Sequence, residues 1–478
     1  MEESQKLTEY ERKRLDNIRR NEEMVAALKL HSKAAKLAKR PRVAKKEIWE
    51  KIPKIETETP VVLRRSARAR GAPPDYTGLV DPVLSNALAY KFPTRAKPGV
   101  KTLGPLSMSD GHRGSHAQSD RAFLDSLLGM ASEEEKKLGG SRKSGKILNG
   151  NGAKRGKKTN EGSLNLESLN LDPENIARVV PERIVQVQFF PSSSNKMIVV
   201  GDKGGHIGFW GVGKRLTYLY RPHQAPISGI SVQQRCLSKI YTSCYDGVVR
   251  LMDAEKEIFD LVFTSDDEGI FSLSQPKNDS NCIYFGDGSG GFTVWDCRTG
   301  KCSSSWALHE NKINTIDFNC ENPHIVATGS TDRTACTWDL RYTGGDKPTA
   351  LKTLTHQKYV QSAYFSPSGC SLATTCADNT ISIYSGVNLE DATSIYHDNF
   401  TGRWLSPFRA IWGWDDSYLF IGNMKRGVDV VSATERAIVT TLQSPHMSAI
   451  PCRFNAHFTE VGMLAGATGG GQVYIWTL

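Results

Sequence analysis

Residues 309–341 read HENKINTIDFNCENPHIVATGSTDRTACTWDLR, and this stretch decides the fold of the chain. Apolar residues recur at 313–318, as Ile313, Ile316 and Phe318, and again at 325–327, with a turn-forming segment at 319–323 between the two runs. A third run, 334–338, follows a polar turn at 330–333. Short β runs separated by turn residues predict an antiparallel meander of strands.

The same stretch carries a second pattern, a His about thirty positions before a Trp-Asp pair, which is typical of a WD-type propeller blade. In such blades the His, a Ser or Thr, the turn Asp and the Trp are hydrogen-bonded to one another. Here these residues would be His309, either Thr328 or Ser330, Asp332 and Trp338.

The Trp position of this unit recurs along the chain at intervals of 42, 43, 43, 46, 47 and 45 residues. One sheet cannot bury both of its faces, whereas repeats of this period do so by stacking into a ring. The pattern predicts an all-β fold, a seven-bladed WD-repeat β-propeller with several degenerate repeats. The aligned positions are Trp210, Met252, Trp295, Trp338, Tyr384, Val431 and Trp476; the preceding His are His223, His309, His356, His397 and His446; and the turn Asp is kept at Asp246, Asp332 and Asp378.

The propeller is expected to occupy residues 172–478, with residues 184–189 as its first inner strand. The chain ends two residues beyond Trp476, so the last blade needs a fourth strand from upstream. Residues 176–180 are the best candidate, and the resulting closed ring would remove a free sheet edge.

Charge is divided unevenly along the chain. Residues 1–160 contain 35 Lys and Arg against 19 Asp and Glu, a net charge of +16, and the remainder carries a net charge of −6. The basic balance therefore belongs to the N-terminal region. Any binding of nucleic acid by the propeller must use a local basic patch.

The N-terminal region is expected to lack a core. Residues 1–40 contain no Gly or Pro and predict one charged helix over about 8–38, which either awaits a partner or is solvated. Residues 41–165 are rich in Gly, Pro, Ser and Lys and are interpreted as a basic, disordered linker. Basic clusters near 39–46 and 154–158 suit nuclear import or contact with phosphate, and the four Arg at 64–70 suit a groove or an acidic partner.

Several classes of function lack support in the sequence. The ten cysteines lie from Cys236 onward without C-x-x-C spacing, which fits reduced thiols better than a zinc site. No run of residues is long and apolar enough to predict a membrane span, and no catalytic motif of the common hydrolase, Walker or zincin kinds occurs. We expect a binding protein that is not an enzyme and has no cofactor, metal or membrane partner.

The motif Trp-Asp-x-Arg occurs in two consecutive repeats. An Arg just past a third strand lies on the face opposite the Asp-containing turns, so two in adjacent blades share one rim. Guanidinium groups there suit bidentate acceptors on a partner, the alternative being a pair of ordinary strand-end arginines. The residues are Trp295, Asp296, Arg298, Trp338, Asp339 and Arg341.

The connection from His397 to a predicted inner strand at 408–412 is longer than its counterparts and contains Phe400, Arg403 and Trp404. Large aromatics beside Arg on an exposed loop suit stacking on nucleic-acid bases or wedging between them. Packing of Trp404 in the core is the alternative. Further cations at turns and loop ends are expected on the same face, namely Lys203, Lys312, Arg333, Lys358, Lys425 and Arg426.

Four segments carry a family resemblance: LTEYER at 7–12, RRSAR at 64–68, PERI at 181–184 and TGRWLSPF at 401–408. Through them the chain resembles the WD repeat-containing protein 76 family, with its fungal and plant members. More distantly, the propeller resembles the small subunit of the UV-damaged-DNA-binding complex, in which a hairpin at the place of 402–404 enters the lesion. The residues at 402–404 differ from those of that relative.

The paired Trp-Asp-x-Arg motif resembles the box by which substrate receptors of cullin-4 RING ubiquitin ligases dock their damage-binding adaptor. These resemblances imply a nuclear, non-enzymatic propeller that binds DNA or chromatin in the damage response and also docks this adaptor. A substrate receptor of that ligase with a protein target, and a histone-tail reader, remain as alternatives.

Overall fold

The computed structural model describes residues 19, 104–113, 117–140, 165–192, 195–214, 216–234, 236–276, 281–341, 349–402 and 404–478. The chain divides into two units, Met1–Phe92 and Pro93–Leu478. Every described residue except Arg19 belongs to the second unit. Within the described ranges, no helix has the length and apolar character needed to cross a membrane.

The described strands form seven blades of a β-propeller, and the inner strand of each blade contacts the inner strands of its two neighbours. The fold prediction is therefore confirmed. Blade 1 consists of β3 Ile184–Phe189, β4 Met197–Asp202, β5 Ile207–Gly211 and β6 Thr217–Tyr220; blade 2 of β7 Ile227–Val232, β8 Lys239–Cys244, β9 Val248–Asp253 and β10 Ile258–Thr264; blade 3 of β11 Ile270–Ser274, β12 Cys282–Asp287, β13 Gly291–Asp296 and β14 Lys301–Ala307; blade 4 of β15 Ile313–Phe318, β16 Ile325–Ser330, β17 Thr334–Asp339 and β18 Ala350–Thr355; blade 5 of β19 Val360–Phe365, β20 Leu372–Cys376, β21 Thr380–Ser385 and β22 Asp391–Tyr396; blade 6 of β23 Ile411–Trp412, β24 Tyr418–Gly422, β25 Val428–Ser432 and β26 Ala437–Leu442; and blade 7 of β27 Pro451–Ala456, β28 Leu464–Thr468, β29 Gln472–Trp476 and β2 Ile176–Arg178.

Blade 7 is completed by a strand from the start of the propeller. The strand β2 pairs antiparallel with β29, so that Ile176 lies opposite Tyr474 and Arg178 opposite Gln472. This confirms that the upstream segment supplies the fourth strand. Val179 and Val180 continue beyond β2 into the core between blades 7 and 1, so closure of the ring buries apolar surface as well as pairing an edge.

The polar network of blade 4 forms as the sequence predicts, and it selects Thr328 over Ser330. His309 Nδ1 lies 2.8 Å from Asp332 Oδ2, and Nε2 lies 2.7 Å from Thr328 Oγ1. Trp338 Nε1 donates to the same hydroxyl at 2.8 Å, whereas Ser330 Oγ donates to a backbone carbonyl. Burial opposes ionisation of Asp332, but hydrogen bonds from His309 and Thr334 outweigh it and hold the pKa of the carboxyl well below its usual range.

The other predicted blade-start histidines do not all take this role. His223 is buried with Nε2 2.7 Å from Thr242 Oγ1, and His397 is buried with Nδ1 2.7 Å from Asn399 Oδ1. His446, in contrast, is exposed, so its predicted structural role is wrong. The turn of blade 7 that would face it is Gly469–Gly471 and offers no carboxylate.

The inner strand of blade 6 is shorter than the predicted 408–412, since β23 covers only Ile411–Trp412. Pro407 has no N–H to donate, and the N–H of Ala410 donates to Thr375 Oγ1 at 3.0 Å. Residues 408–410 therefore belong to the connection between blades 5 and 6.

The prediction of an unpacked linker is wrong for residues 104–113 and 117–140. Leu106–Ser107 (β1) adds a fifth strand to blade 2 by pairing with β10, and it is followed by the helices Met108–Gly111 (α1) and Ala117–Gly140 (α2). Phe123, Leu127 and Met130 of α2 are buried against blades 1 and 2. Their spacing places them on one face of the helix. The linker prediction rested on the average composition of residues 41–165, which does not reveal this short apolar pattern. The predicted helix over 8–38 lies outside the described residues, apart from the exposed helical Arg19.

Candidate functional site

The two faces of the propeller differ in their loops. We call the upper face the one formed by the turns between second and third strands and by the connections between blades. The lower face is the one on which the third strands end. Because the strands of each blade are antiparallel, the long connection 397–410 and the six predicted cations belong to the upper face, and both Trp-Asp-x-Arg motifs end on the lower face.

The connection 397–410 is fastened to the propeller at both ends. Asn399 Nδ2 donates to the Cys376 carbonyl at 2.7 Å near its start. Near its end, Arg183 Nη1 donates to the Leu405 carbonyl at 3.1 Å, and Ser406 Oγ donates to a carbonyl of blade 1 at 2.8 Å. Arg453 Nη1 donates to the Pro407 carbonyl. The tip of the connection is thus held on a rigid base.

Two aromatic side chains stand out from this tip. Phe400 is 75% exposed and Trp404 is 80% exposed, so the alternative that Trp404 packs in the core is wrong. Gly402 between them has a φ of 63°, a left-handed conformation that Gly adopts at little cost. Arg403 lies outside the described residues.

The six predicted cations lie on the loops that make the upper face. Lys203, Arg333, Lys425 and Arg426 lie in turns between second and third strands, and all four are exposed. Lys358 lies exposed in the connection before blade 5. Lys312 is half-buried before blade 4, and its Nζ lies 4.9 Å from the centre of the Phe271 ring.

Arg333 and Arg426 adopt an unusual backbone conformation, with φ of 77° and 61°. Each of the seven turns between second and third strands contains one residue of positive φ. It is a glycine in blades 1, 2, 3 and 7 and Asn379 in blade 5. A long side chain at such a position costs roughly 1 kcal/mol. Conformational preference therefore does not explain arginine at these two turns.

The sequence did not predict a cluster of cations at the upper mouth of the central channel, in which the predicted Lys312 is joined by Arg409 and Arg453. Arg409 Nη2 donates to the Asn314 carbonyl of the inner strand of blade 4 at 3.0 Å, although Arg409 itself precedes blade 6. Burial and the charge of Arg409 lower the pKa of both Lys312 and Arg453, that of Arg453 to about 9. A usable signal was a lone Arg inside two otherwise apolar inner-strand segments, SPFRAIW and IPCRFNA.

The upper face is not basic all round. Asp246 lies in the turn between the second and third strands of blade 2, and Asp266, Asp267 and Glu268 lie in the connection to blade 3. The predicted cations belong instead to blades 1, 4 and 6 and to the connections that precede blades 4 and 5. We call the four carboxylates the acidic sector; an anionic ligand would avoid them and cross the opposite side of the face.

On the lower face, each Arg of the Trp-Asp-x-Arg motifs is oriented by the Asp of its own motif. Arg341 donates from Nε and Nη2 to the two oxygens of Asp339 at 3.0 and 2.7 Å. Arg298 donates from the same two nitrogens to the two oxygens of Asp296 at the longer distances of 3.5 and 3.3 Å. The arginine side chains remain 56% and 71% exposed. Hydrogen bonds from Arg341 hold the pKa of Asp339 below its usual range.

The tryptophans of the two motifs take structural positions. Trp338 is buried in the blade 4 network, and Trp295 packs edge-on against Phe263 with ring centres 5.5 Å apart. Only the arginines of these motifs are exposed. A cavity of about 450 Å³ opens at the lower mouth of the channel and is lined in part by Gln188, Trp414 and Phe458.

One group of described side chains has the spacing of possible metal ligands: His356, Cys376 and Asp378 lie with their donor atoms within 4.8 Å of one another. They occupy the positions of His309, Ser330 and Asp332 in the blade 4 network. Cys376 Sγ lies 3.2 Å from the Lys358 carbonyl, and burial raises the pKa of the thiol to about 11. In the structure these side chains belong to a hydrogen-bond network in which the Cys376 thiol donates to a backbone carbonyl.

Comparison with known proteins agrees with this geometry. The model of the WD domain, G-beta repeat, matches residues 300–339 and 348–385. Each match begins near the outer strand of one blade and ends with the third strand of the next, the offset by which successive repeats interlock neighbouring blades.

Similarity to individual proteins extends far beyond those repeats. The WD repeat-containing protein 76 of Xenopus laevis is 29% identical over 489 residues, which cover 98% of this chain and 80% of the relative. Over nearly its whole length, the chain is similar to WD repeat-containing protein 76. That of Rhinolophus ferrumequinum is 25% identical, with coverage of 98% and 74%, and the DNA damage-binding protein cmr1 of Aspergillus clavatus is 27% identical, with coverage of 99% of both chains. The similarity to WD repeat-containing protein 76 includes the region before the propeller, which confirms the resemblance found in the sequence.

Proposed function

We propose that this protein is a nuclear DNA- or chromatin-binding protein of the DNA damage response, which acts by binding rather than by catalysis. Its upper face contacts the DNA. The observation that carries the proposal is the exposed pair Phe400 and Trp404 on a connection fastened at both ends. Relatives named DNA damage-binding protein support the choice of ligand.

Two physical terms make DNA the ligand that fits this face. Exposed aromatics of this size cost solvation free energy unless a partner covers them, and stacking on a base contributes about 1–3 kcal/mol. The cations around them supply phosphate contacts, while the acidic sector confines the duplex to the blades that carry the cations. The side chains of Phe400 and Trp404 thus serve as a stacking or wedging element.

A titration of the full-length protein with plain and UV-damaged duplex over a range of salt concentrations tests this proposal. We expect the logarithm of the affinity to fall linearly with the logarithm of the salt concentration, with a slope that counts the phosphate contacts. We also expect tighter binding of the damaged duplex. Equal affinity for the two duplexes would contradict a role in damage recognition, and no binding at low salt would contradict DNA binding altogether.

We further propose that the lower face docks the damage-binding adaptor of cullin-4 RING ubiquitin ligases. Two exposed guanidinium groups, each oriented by an Asp of its own turn, support this proposal. Because the two functions use opposite faces, the protein would hold DNA and the ligase adaptor at the same time. A ligase receptor for a protein target would use the lower face in the same way, with that protein on the upper face.

The acidic sector favours one more candidate, a reader of histone tails. Four carboxylates on the loops of blades 2 and 3 suit a Lys- and Arg-rich peptide. The proposed DNA path crosses the opposite side of the upper face and leaves this side accessible. Binding of a histone H3 peptide that is lost on Asp266→Asn and Asp267→Asn, while DNA binding is retained, would support this candidate.

A further inference from the structure

We propose that the upper mouth of the central channel binds one phosphate group, held by Lys312 and Arg409 above the buried Arg453, and that this phosphate comes from the backbone of the bound DNA. The source of the phosphate rests on the proposed function, but the existence of the site does not. Three cations form this site, and the repeat pattern accounts for none of them.

The fold brings these three residues together from three blades. Lys312 directly precedes the inner strand of blade 4, Arg409 precedes that of blade 6, and Arg453 lies within that of blade 7. The side chain of Arg409 reaches past blade 5 to the Asn314 carbonyl, 3.0 Å from its Nη2. It therefore spans part of the channel mouth beside Lys312.

Their positive charge is not compensated by protein carboxylates. Within the described part of the chain, none of Lys312, Arg409 and Arg453 forms an ion pair. Arg453 is buried and donates to the carbonyls of Val185 and Pro407. The buried Nε of Arg409 has no hydrogen-bond partner among the described residues.

Such a cluster costs folding free energy, since each charge is partly desolvated and repels the others. The lowered pKa of Lys312, caused by burial and then by Arg409, reflects this cost. An anion seated between Lys312 and Arg409 would offset both contributions. Partly buried charged groups with perturbed pKa values and no carboxylate partner among the described residues are typical of a binding site.

The geometry favours phosphate over other anions. A guanidinium group offers parallel donors to two oxygens, an ammonium group adds a third, and a tetrahedral phosphate can accept from both at once. Lys312 also lies over the Phe271 ring, with its Nζ 4.9 Å from the ring centre, and this contact holds the ammonium group at the channel mouth. The exposed cations of blades 1, 4 and 6 lie on the same face and could contact further phosphates, which a nucleic-acid strand supplies and a singly phosphorylated peptide does not.

The first arm of the test measures thermal unfolding of the full-length protein in sodium phosphate and in sodium chloride of equal ionic strength. We expect phosphate to raise the melting temperature of the wild type more than chloride does. The difference should shrink in Lys312→Met and in Arg409→Gln, and stay unchanged in Lys301→Gln, a variant of an exposed residue on the lower face. General stabilisation by phosphate is common to all variants and cancels in this comparison.

Melting temperatures in chloride show whether the variants fold. Loss of a repelling charge should leave them equal to or above the wild-type value. Arg409→Gln also loses the contact to Asn314, so if it unfolds, Lys312→Met alone decides the outcome. An equal phosphate increment in the wild type and in Lys312→Met would overturn the site.

The second arm measures the salt dependence of DNA binding by the same proteins. Each of Lys312→Met and Arg409→Gln should lower the magnitude of the slope by about one, whereas Lys301→Gln should leave it unchanged. If the phosphate increment depends on these residues but the slope does not, the phosphate belongs to another ligand, such as a phosphopeptide, and the DNA assignment is overturned. If the wild type binds no DNA while the first arm succeeds, the proposed function fails and the phosphate site stands.

Discussion

Arg333 and Arg426 occupy equivalent turns in blades 4 and 6, and each is the one residue of its turn with a positive φ. Four other blades use glycine in this role. A non-glycine side chain there lowers stability, so local conformational preference does not account for arginine at these two turns. Both arginines lie on the same face as Trp404.

Replacement of Arg333 by glycine should therefore raise stability while it weakens DNA binding. Glycine adopts the left-handed conformation without strain, which stabilises the folded protein, but it also raises the conformational entropy of the unfolded chain. We therefore expect the free energy of unfolding to increase by up to about 1 kcal/mol. The slope of affinity against salt should fall by about one. Denaturant unfolding and DNA titration measure the two effects. Lys358→Gln, a matched cation with ordinary backbone conformation, should lower the slope without the gain in stability.

Trp404→Ala should reduce DNA affinity about tenfold or more, because it removes a stacking contribution of about 1–3 kcal/mol. The salt slope should barely change, since no phosphate contact is lost, and stability should be unaffected because the side chain is 80% exposed. Phe458→Ala is the matched control, as Phe458 is also exposed but lies on the lower face. If Trp404→Ala binds DNA as tightly as the wild type, then the N-terminal region makes the DNA contact, and a protein ligand is favoured for this face.

The double variant Arg298→Ala/Arg341→Ala should lose capture of the cullin-4 adaptor and keep DNA binding. Truncation of an interfacial Arg typically costs about 2 kcal/mol or more. Asp339→Asn should weaken capture as well, because Asp339 orients the guanidinium of Arg341. Lys301→Ala is the control on the same face. Undiminished co-purification of the adaptor with the double variant would reduce both motifs to a structural role.

Phe123→Ala should lower the free energy of unfolding by about 3 kcal/mol, the usual cost of removing a fully buried aromatic ring. Phe123 of α2 is inaccessible to solvent, and its ring centre lies 4.6 Å from that of Tyr218 and 4.8 Å from that of Phe209. Asp125→Ala, on the exposed side of the same helix, should change stability little. Equal denaturation midpoints for the two variants would show that α2 does not stabilise blades 1 and 2.

Stability should fall as the pH is lowered from about 6.5, in part because of His223. Burial, and secondarily the charge of Arg250, lower the pKa of His223 to about 3. Below a pH of about 6.5, His223 is protonated in the unfolded chain but stays neutral in the folded protein. The unfolded state is therefore favoured progressively as the pH falls from about 6.5 towards 3. The slope from this one group approaches about 1.4 kcal/mol per pH unit.

His223→Asn should flatten the stability profile between pH 6.5 and 5 relative to the wild type, even though it also loses the bond to Thr242. His446→Asn, the same substitution at an exposed histidine, is the matched control. Denaturant unfolding at a series of pH values measures both. A wild-type slope in the His223 variant would assign the acid sensitivity to other groups, such as His356, whose pKa is also lowered by burial.

The sequence by itself determined the seven blades, the third-strand position of the Trp series and the strand that closes the ring. These features depend on local alternation, on turn residues and on a free edge that must be paired, all of which can be read along the chain. The sequence also indicated that the connection at 397–410 is exposed and aromatic, because its length and composition do not fit a buried strand.

Only the tertiary structure decided which groups meet. Thr328 rather than Ser330 completes the blade 4 network, because only Thr328 lies within reach of both His309 and Trp338. Lys312, Arg409 and Arg453 converge at the channel mouth, although they come from three blades. The ring geometry sets such contacts between residues far apart in sequence. No local pattern encodes the distance across a channel, and apolar spacing alone does not say that α2 finds a surface on blades 1 and 2.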